Sequence, residues 1–107
     1  MPSQLDITST TILKATSNQV SSEVGEEVVI LNLQSGQYFG LDGVGAVVWE
    51  KLQTPVTPTD LEAGLINEFD VEPEVLRHDL QVLIQDLATA GLVELEQASE
   101  LETQNQI

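Results

Sequence analysis

The sequence predicts an α+β domain, a winged helix-turn-helix in which a three-stranded antiparallel sheet is followed by three helices. Three observations carry that prediction. Val28 to Leu33 is a run of β-branched and aliphatic residues, and after Gln34-Ser35-Gly36 the strand pattern resumes as a short aromatic stretch, Gln37 to Leu41. Apolar residues then recur with helical spacing from Val44 onward. Thr57-Pro58 and Pro73 open two further helices joined by a brief connector, and a hairpin beside such a helix pair makes it winged.

Residues 1–18 are rich in Ser and Thr, with only Asp6 and Lys14 charged, and read as a flexible arm in which a short strand fits Thr11 to Ala15. Gln19 to Val24 is a weak strand, and Gly25-Glu26 turns it into the strong one that follows. Gly36 suits the left-handed position of a bulged three-residue turn. The third strand stops at Asp42-Gly43, and nothing later in the sequence reads as its partner. Its outer row of N–H and C=O groups is therefore expected to stand open.

Val44, Val47, Val48 and Leu52 form the apolar stripe of the first helix, with Trp49 on its flank as a core residue. Three valines weaken its helix propensity, so burial must hold it. In the second helix Thr57 is the N-cap, Pro58 the first helical residue and Asp60 an acid in the first turn. Its buried face is Leu61, Leu65, Ile66 and Phe69. Gly64 within it costs about 1 kcal/mol against Ala and leaves room for close packing. The third helix runs from Pro73 to about Ala90, with Glu72 a weak N-cap and Leu76, Leu80, Leu83 and Leu87 as its core face. Gly91 suits a left-handed helix end with Leu92 against Leu87, and Leu92 to Leu95 suits a last short strand. Residues 96–107 read as a loose acidic and polar tail, which places the domain at residues 19–95.

Composition excludes several classes. With 41% apolar residues the chain is an ordinary globular domain. It has no Cys for a disulfide or thiolate, and a single His78 on the polar side of the third helix. No apolar run approaches the roughly 20 residues of a membrane span, and the first residues lack a basic region followed by an apolar block, so a cytoplasmic address is expected. Eighteen acids against Lys14, Lys51 and Arg77 give a net charge of −15. Such a surface repels phosphate backbones and anionic lipid. A winged helix-turn-helix usually reads DNA with its second motif helix. Here that helix offers Glu74, Asp79 and Asp86 against Arg77, so neither nucleic acid nor membrane is expected as a partner.

No catalytic constellation is visible. None of the carboxylates is flanked by the Ser, Cys, Lys or His partner of a nucleophile. Asp79 and Asp86 share one helix face, but two acids are too few for a Mg²⁺ or Ca²⁺ site. Gly36, Gly40, Gly43 and Gly45 lack the spacing of a phosphate loop and have no Lys nearby. Neither metal nor cofactor is expected, and the chain does not read as an enzyme. A short open strand, an acidic surface and no catalytic set are what an adaptor working by strand addition would show. The alternative is a small structural or dimerisation winged-helix domain acting as a protein–protein adaptor without a peptide ligand.

The stretch Val29 to Glu50 (VILNLQSGQYFGLDGVGAVVWE) resembles the PqqD-like family, the leader-recognition elements for ribosomally made and modified peptides. Phe69 to Leu76, His78 to Leu80 and Ala90 to Glu94 follow the same template in the same order, so the resemblance covers about residues 19–95. Within the family the chain is most similar to the stand-alone leader-binding proteins of lasso-peptide pathways. The resemblance implies a chaperone that binds a precursor's leader and presents it to separate enzymes, such as a leader peptidase, a cyclase or a radical enzyme. It implies that the third strand pairs with the leader in a groove closed by the third helix. The expected site is then Gln37, Tyr38, Phe39, Gly40 and Leu41 on the strand. On the helix it is Val75, Asp79, Val82 and Asp86, which fall on one flank at about 100° per residue. The valines suit an apolar leader residue, the acids a neighbouring Lys or Arg. The opposite flank, Arg77, Ile84 and Ala88, carries fewer acids and is the less favoured wall. A monomer is expected, and Phe39→Pro is expected to remove an edge N–H and with it peptide binding.

Overall fold

The computed structural model describes residues 7, 8 and 10–97. The rest of the expected arm and tail, residues 1–6, 9 and 98–107, lies outside the described residues. In chain order the elements are β1 (Thr11–Ala15), β2 (Gln19–Val24), β3 (Glu27–Asn32), β4 (Tyr38–Leu41), α1 (Val44–Lys51), α2 (Pro58–Glu68), α3 (Pro73–Thr89) and β5 (Val93–Gln97). β2, β3 and β4 make the expected antiparallel meander in that spatial order, and with the three helices they form the winged helix-turn-helix. None of the described helices is long and apolar enough to cross a membrane.

The strand fitted within the arm is formed, and it is part of the core. Leu13 is fully buried and Ala15 nearly so. β1 is held from both sides. Along one it pairs antiparallel with β5, from Thr11 opposite Gln97 to Ala15 opposite Val93. Along the other, Leu13 N donates to Val56 O at 2.7 Å, Val56 N returns a bond to Leu13 O at 2.9 Å, and Ala15 N donates to Leu52 O at 2.8 Å. This second small sheet ties the α1–α2 connector to the end of α3. Alternation over five residues in a Ser/Thr-rich stretch is a weak signal, and the partner strand lies at the far end of the domain.

Local signals place the helix ends. Thr57 Oγ1 accepts from Asp60 N at 3.2 Å, the expected N-cap, whereas Glu72 makes no side-chain cap bond. At the end of α3, Leu92 N donates to Leu87 O at 2.9 Å and Gly91 N to Ala88 O at 3.0 Å. These are the paired bonds of a Schellman ending, with Gly91 at φ +80° where a Cβ would be strained. Leu87 and Leu92 are both buried.

The core differs from expectation chiefly on α3. α3 buries Leu76, Leu80, Ile84 and Leu87, while Leu83 is only half-buried. Ile84, expected on the far flank, shares a recess with Ile7, Thr8, Pro58 and Leu80. It therefore faces the start of α2 and the segment entering β1. The terminal segment gives α3 something to pack against that a loose arm would not, and this turns the helix so that Leu83 rolls toward the opposite flank. Phe69, also expected in the core, packs against it while partly exposed. Trp49 is buried as expected.

Candidate peptide-binding site

Among the described residues β4 pairs with β3 alone and is an edge of its sheet. Which of its backbone groups are open follows from the register. Asn32 N donates to Gln37 O at 2.9 Å, and hydrogen-bonded pairs alternate along an antiparallel ladder. The bonded pairs therefore continue at Ile30–Phe39 and Val28–Leu41. Phe39 and Leu41 turn their N–H and C=O toward β3, whereas Tyr38 and Gly40 present theirs, about 7 Å apart, to the open side. This corrects the expectation for Phe39→Pro: that substitution removes a donor from the β3–β4 ladder and none from the open side.

The side chains alternate likewise. Phe39 and Leu41 lie half-buried on the core face, Tyr38 is 71% exposed, and Gly40 is exposed beside it. Gln37 precedes the strand, also exposed, with its N–H donated to Ser35 Oγ at 3.3 Å.

Beyond the end of β4 an apolar recess of about 260 Å³ opens between the start of α1 and α3, lined by Val44, Gly45, Val71, Leu76, Asp79, Leu80 and Leu83. The rotation of α3 makes Leu83 part of this wall. Of the four expected helix residues, Asp79 lines the recess. Val75 and Val82 are exposed at 50% and 46% on the same flank, and Asp86 is exposed with them. Neither ion pair among the described residues, Lys51–Glu68 or Arg77–Glu62, takes Asp79 or Asp86. The flank thus combines apolar side chains with two uncompensated carboxylates. The sequence reading did not assign Val44, Gly45, Val71 or Leu83 to the site. Val44 carried a signal, since it opens α1 ahead of the fully buried Val48.

Asn32 was also missed. It is 6% exposed, at the end of an otherwise apolar strand on the core-facing side. Its Nδ2 donates to Ala90 O at 2.8 Å, and its Oδ1 accepts from Gln34 N at 2.8 Å and Ser35 N at 3.0 Å. One side chain therefore holds the turn into β4 and fastens it to the end of α3, fixing the spacing of strand and helix. A buried Asn in an apolar strand is the signal that could have found it, because such an amide needs partners. Asn32→Ala leaves three backbone groups without their partner and should lower stability by about 1–3 kcal/mol, read as a lower denaturation midpoint.

Among the described residues no group of acids and His is arranged to hold a metal ion. An open strand edge, an adjoining apolar recess and an acidic helical flank define the class: a winged-helix domain with a site shaped for an extended peptide. The family model for coenzyme PQQ synthesis protein D (PqqD) matches residues 27–93, and the chain belongs to that family. Two solved structures share its fold. TbiB1 in complex with the TbiA(beta) leader peptide is 34% identical, with 76% of this chain and 94% of that one covered at a TM-score of 0.71. A lasso peptide synthetase B1 complexed with its leader peptide is 22% identical, with 77% and 96% covered at a TM-score of 0.69, and at that identity bears on the fold alone. No curated protein matches significantly.

Proposed function

We propose that this chain is a non-catalytic leader-binding adaptor, which takes the leader of a ribosomally made precursor as an added strand and presents it to separate modifying enzymes such as a leader peptidase. The observation that carries the reading is the open β4 edge, with Tyr38 and Gly40 unpaired on their outer side, beside the apolar recess against α3. Main-chain bonds give affinity in this mode, and pockets give sequence choice. The leader runs along Gln37 to Leu41 and sets an apolar side chain into the recess. Val75 and Val82 extend the apolar contact, and Asp79 and Asp86 receive a basic residue. The 34% identical TbiB1 and its leader complex support this reading. Reading DNA is unsupported: α3 exposes Glu74, Asp79 and Asp86, and its Arg77 is held by Glu62 at 2.9 Å.

Titration with the leader peptide of a ribosomally made precursor tests the reading. One-to-one binding to a monomer, with a denaturation midpoint that rises with leader concentration, is the expected result. Val82→Asp should weaken binding about tenfold, roughly 1.4 kcal/mol, with an unchanged midpoint in the free protein because Val82 is exposed. A stable dimer by light scattering with no leader binding would instead support a dimerisation domain.

A further inference from the structure

The sheet has a second open edge. Among the described residues β2 pairs with β3 alone. Leu33 N donates to Asn18 O at 3.0 Å, so the alternation of bonded pairs directs the N–H and C=O of Gln19, Ser21 and Glu23 away from β3. Between this edge and α1 lies a notch of about 250 Å³ lined by Ser21, Ser22, Glu23, Val28, Trp49, Glu50 and Gln53. An adjoining hollow adds Glu26 and Glu27. None of these four glutamates takes part in the two ion pairs found among the described residues.

Edge acids deter self-pairing, and that role would account for Glu23 alone. It does not account for Trp49. This residue is 2% exposed, lines the notch, and its indole Nε1 is buried without an acceptor among the described residues. A buried donor in that condition is costly and rare. Gln19 Oε1, on the same face of β2, is likewise buried and unpartnered. On the other face of β2, Val20 and Val24 are 55% and 60% exposed. The edge is thus acidic toward α1, apolar on the outside, and open along its backbone.

We infer that the β2 edge is a second docking site, separate from β4, which takes an extended segment of a protein partner alternating basic and apolar residues. Its backbone completes the ladder at Ser21 and Glu23, its basic side chains enter the notch toward Glu23 and Glu50, and its apolar side chains cover Val20 and Val24. The segment covers the notch that Trp49 lines, so the indole N–H senses its arrival. Charge selects this occupant over a second copy of the chain, since two surfaces of −15 repel. That the partner is a modifying enzyme rests on the adaptor reading; the site itself does not.

The test uses the full chain and a blocked hexapeptide of alternating Lys and Val, followed by NMR. The expected result is shifts at the Ser21 and Glu23 amides and at the Trp49 indole N–H. Binding should weaken about fivefold in the double variant Glu23→Gln, Glu50→Gln, the scale of two exposed ion pairs. Gly40→Pro should leave hexapeptide binding unchanged, and the double variant should still bind leader, so this proposal and the leader site fail separately. Shifts spread over Asp79 and Asp86, an unmoved indole N–H, unchanged affinity in the double variant, or shifts at Ser21 and Glu23 that follow protein concentration without peptide would each overturn it.

Discussion

Gly40→Pro should lower leader affinity more than tenfold while the domain keeps its far-UV spectrum and denaturation midpoint. Gly40 directs its N–H to the open side, so the substitution removes an edge donor and puts a ring where the added strand must approach. Its φ is not in the left-handed region and a Cβ there would meet nothing within 4 Å, and proline is tolerated on an edge strand where the missing N–H faces outward. Losing a single main-chain bond accounts for up to about 1.5 kcal/mol, roughly tenfold, and exclusion of the strand adds to it. Phe39→Pro should behave oppositely. Its N–H belongs to the β3–β4 ladder and its ring packs on the core, so that variant should lose the wing itself. Equal loss of fold in both variants would show that the register of the edge is wrong.

Ile84→Ala should destabilise the domain by about 2–5 kcal/mol, the range for truncating a buried aliphatic side chain. Ile84 is 1% exposed and sits among the residues facing α2 and the entry to β1. In a domain whose total stability is typically about 5–15 kcal/mol, this is the largest loss expected from any substitution named here. Leu83→Ala makes the contrast. Leu83 is half-buried in the wall of the recess, so its truncation should cost about 1 kcal/mol of stability and weaken leader binding. Chemical denaturation of both variants, with leader titration of each, separates a core position from a groove position one residue away. Similar losses for the two would contradict the rotation of α3.

Why the sequence misplaced these two residues is physical. A helix with Leu76, Leu80, Leu83, Ile84 and Leu87 has an apolar arc wider than one neighbour can cover, and periodicity locates its middle but not its edges. The neighbours decide. Here α2 and the entry to β1 lie on the Ile84 side, and residues 1–18 read as an arm because Ile7, Ile12 and Leu13 are isolated among many Ser and Thr. Local chemistry was far more legible: Thr57-Pro58, Gly36 and Gly91-Leu92 each perform the turn or cap that their residue types require. For the site, the third strand could be read as open because a helical pattern follows it at once, and the later strand β5 pairs with β1 instead. The direction of each N–H along it could not, since that depends on one bond, Asn32 N to Gln37 O, which fixes the alternation. Asn32 itself was hidden because its partners, the turn at Gln34 and Ser35 and the carbonyl of Ala90, meet only in the fold.

Amide hydrogen exchange along β4, measured with and without saturating leader, tests strand addition most directly. In the free protein Phe39 and Leu41 should already be protected by β3, and Tyr38 and Gly40 should exchange freely. With leader bound, Tyr38 and Gly40 should slow markedly while Phe39 and Leu41 change little. Saturating leader that leaves Tyr38 and Gly40 exchanging as before, or that protects Ser21 and Glu23 on the opposite edge instead, would contradict the account.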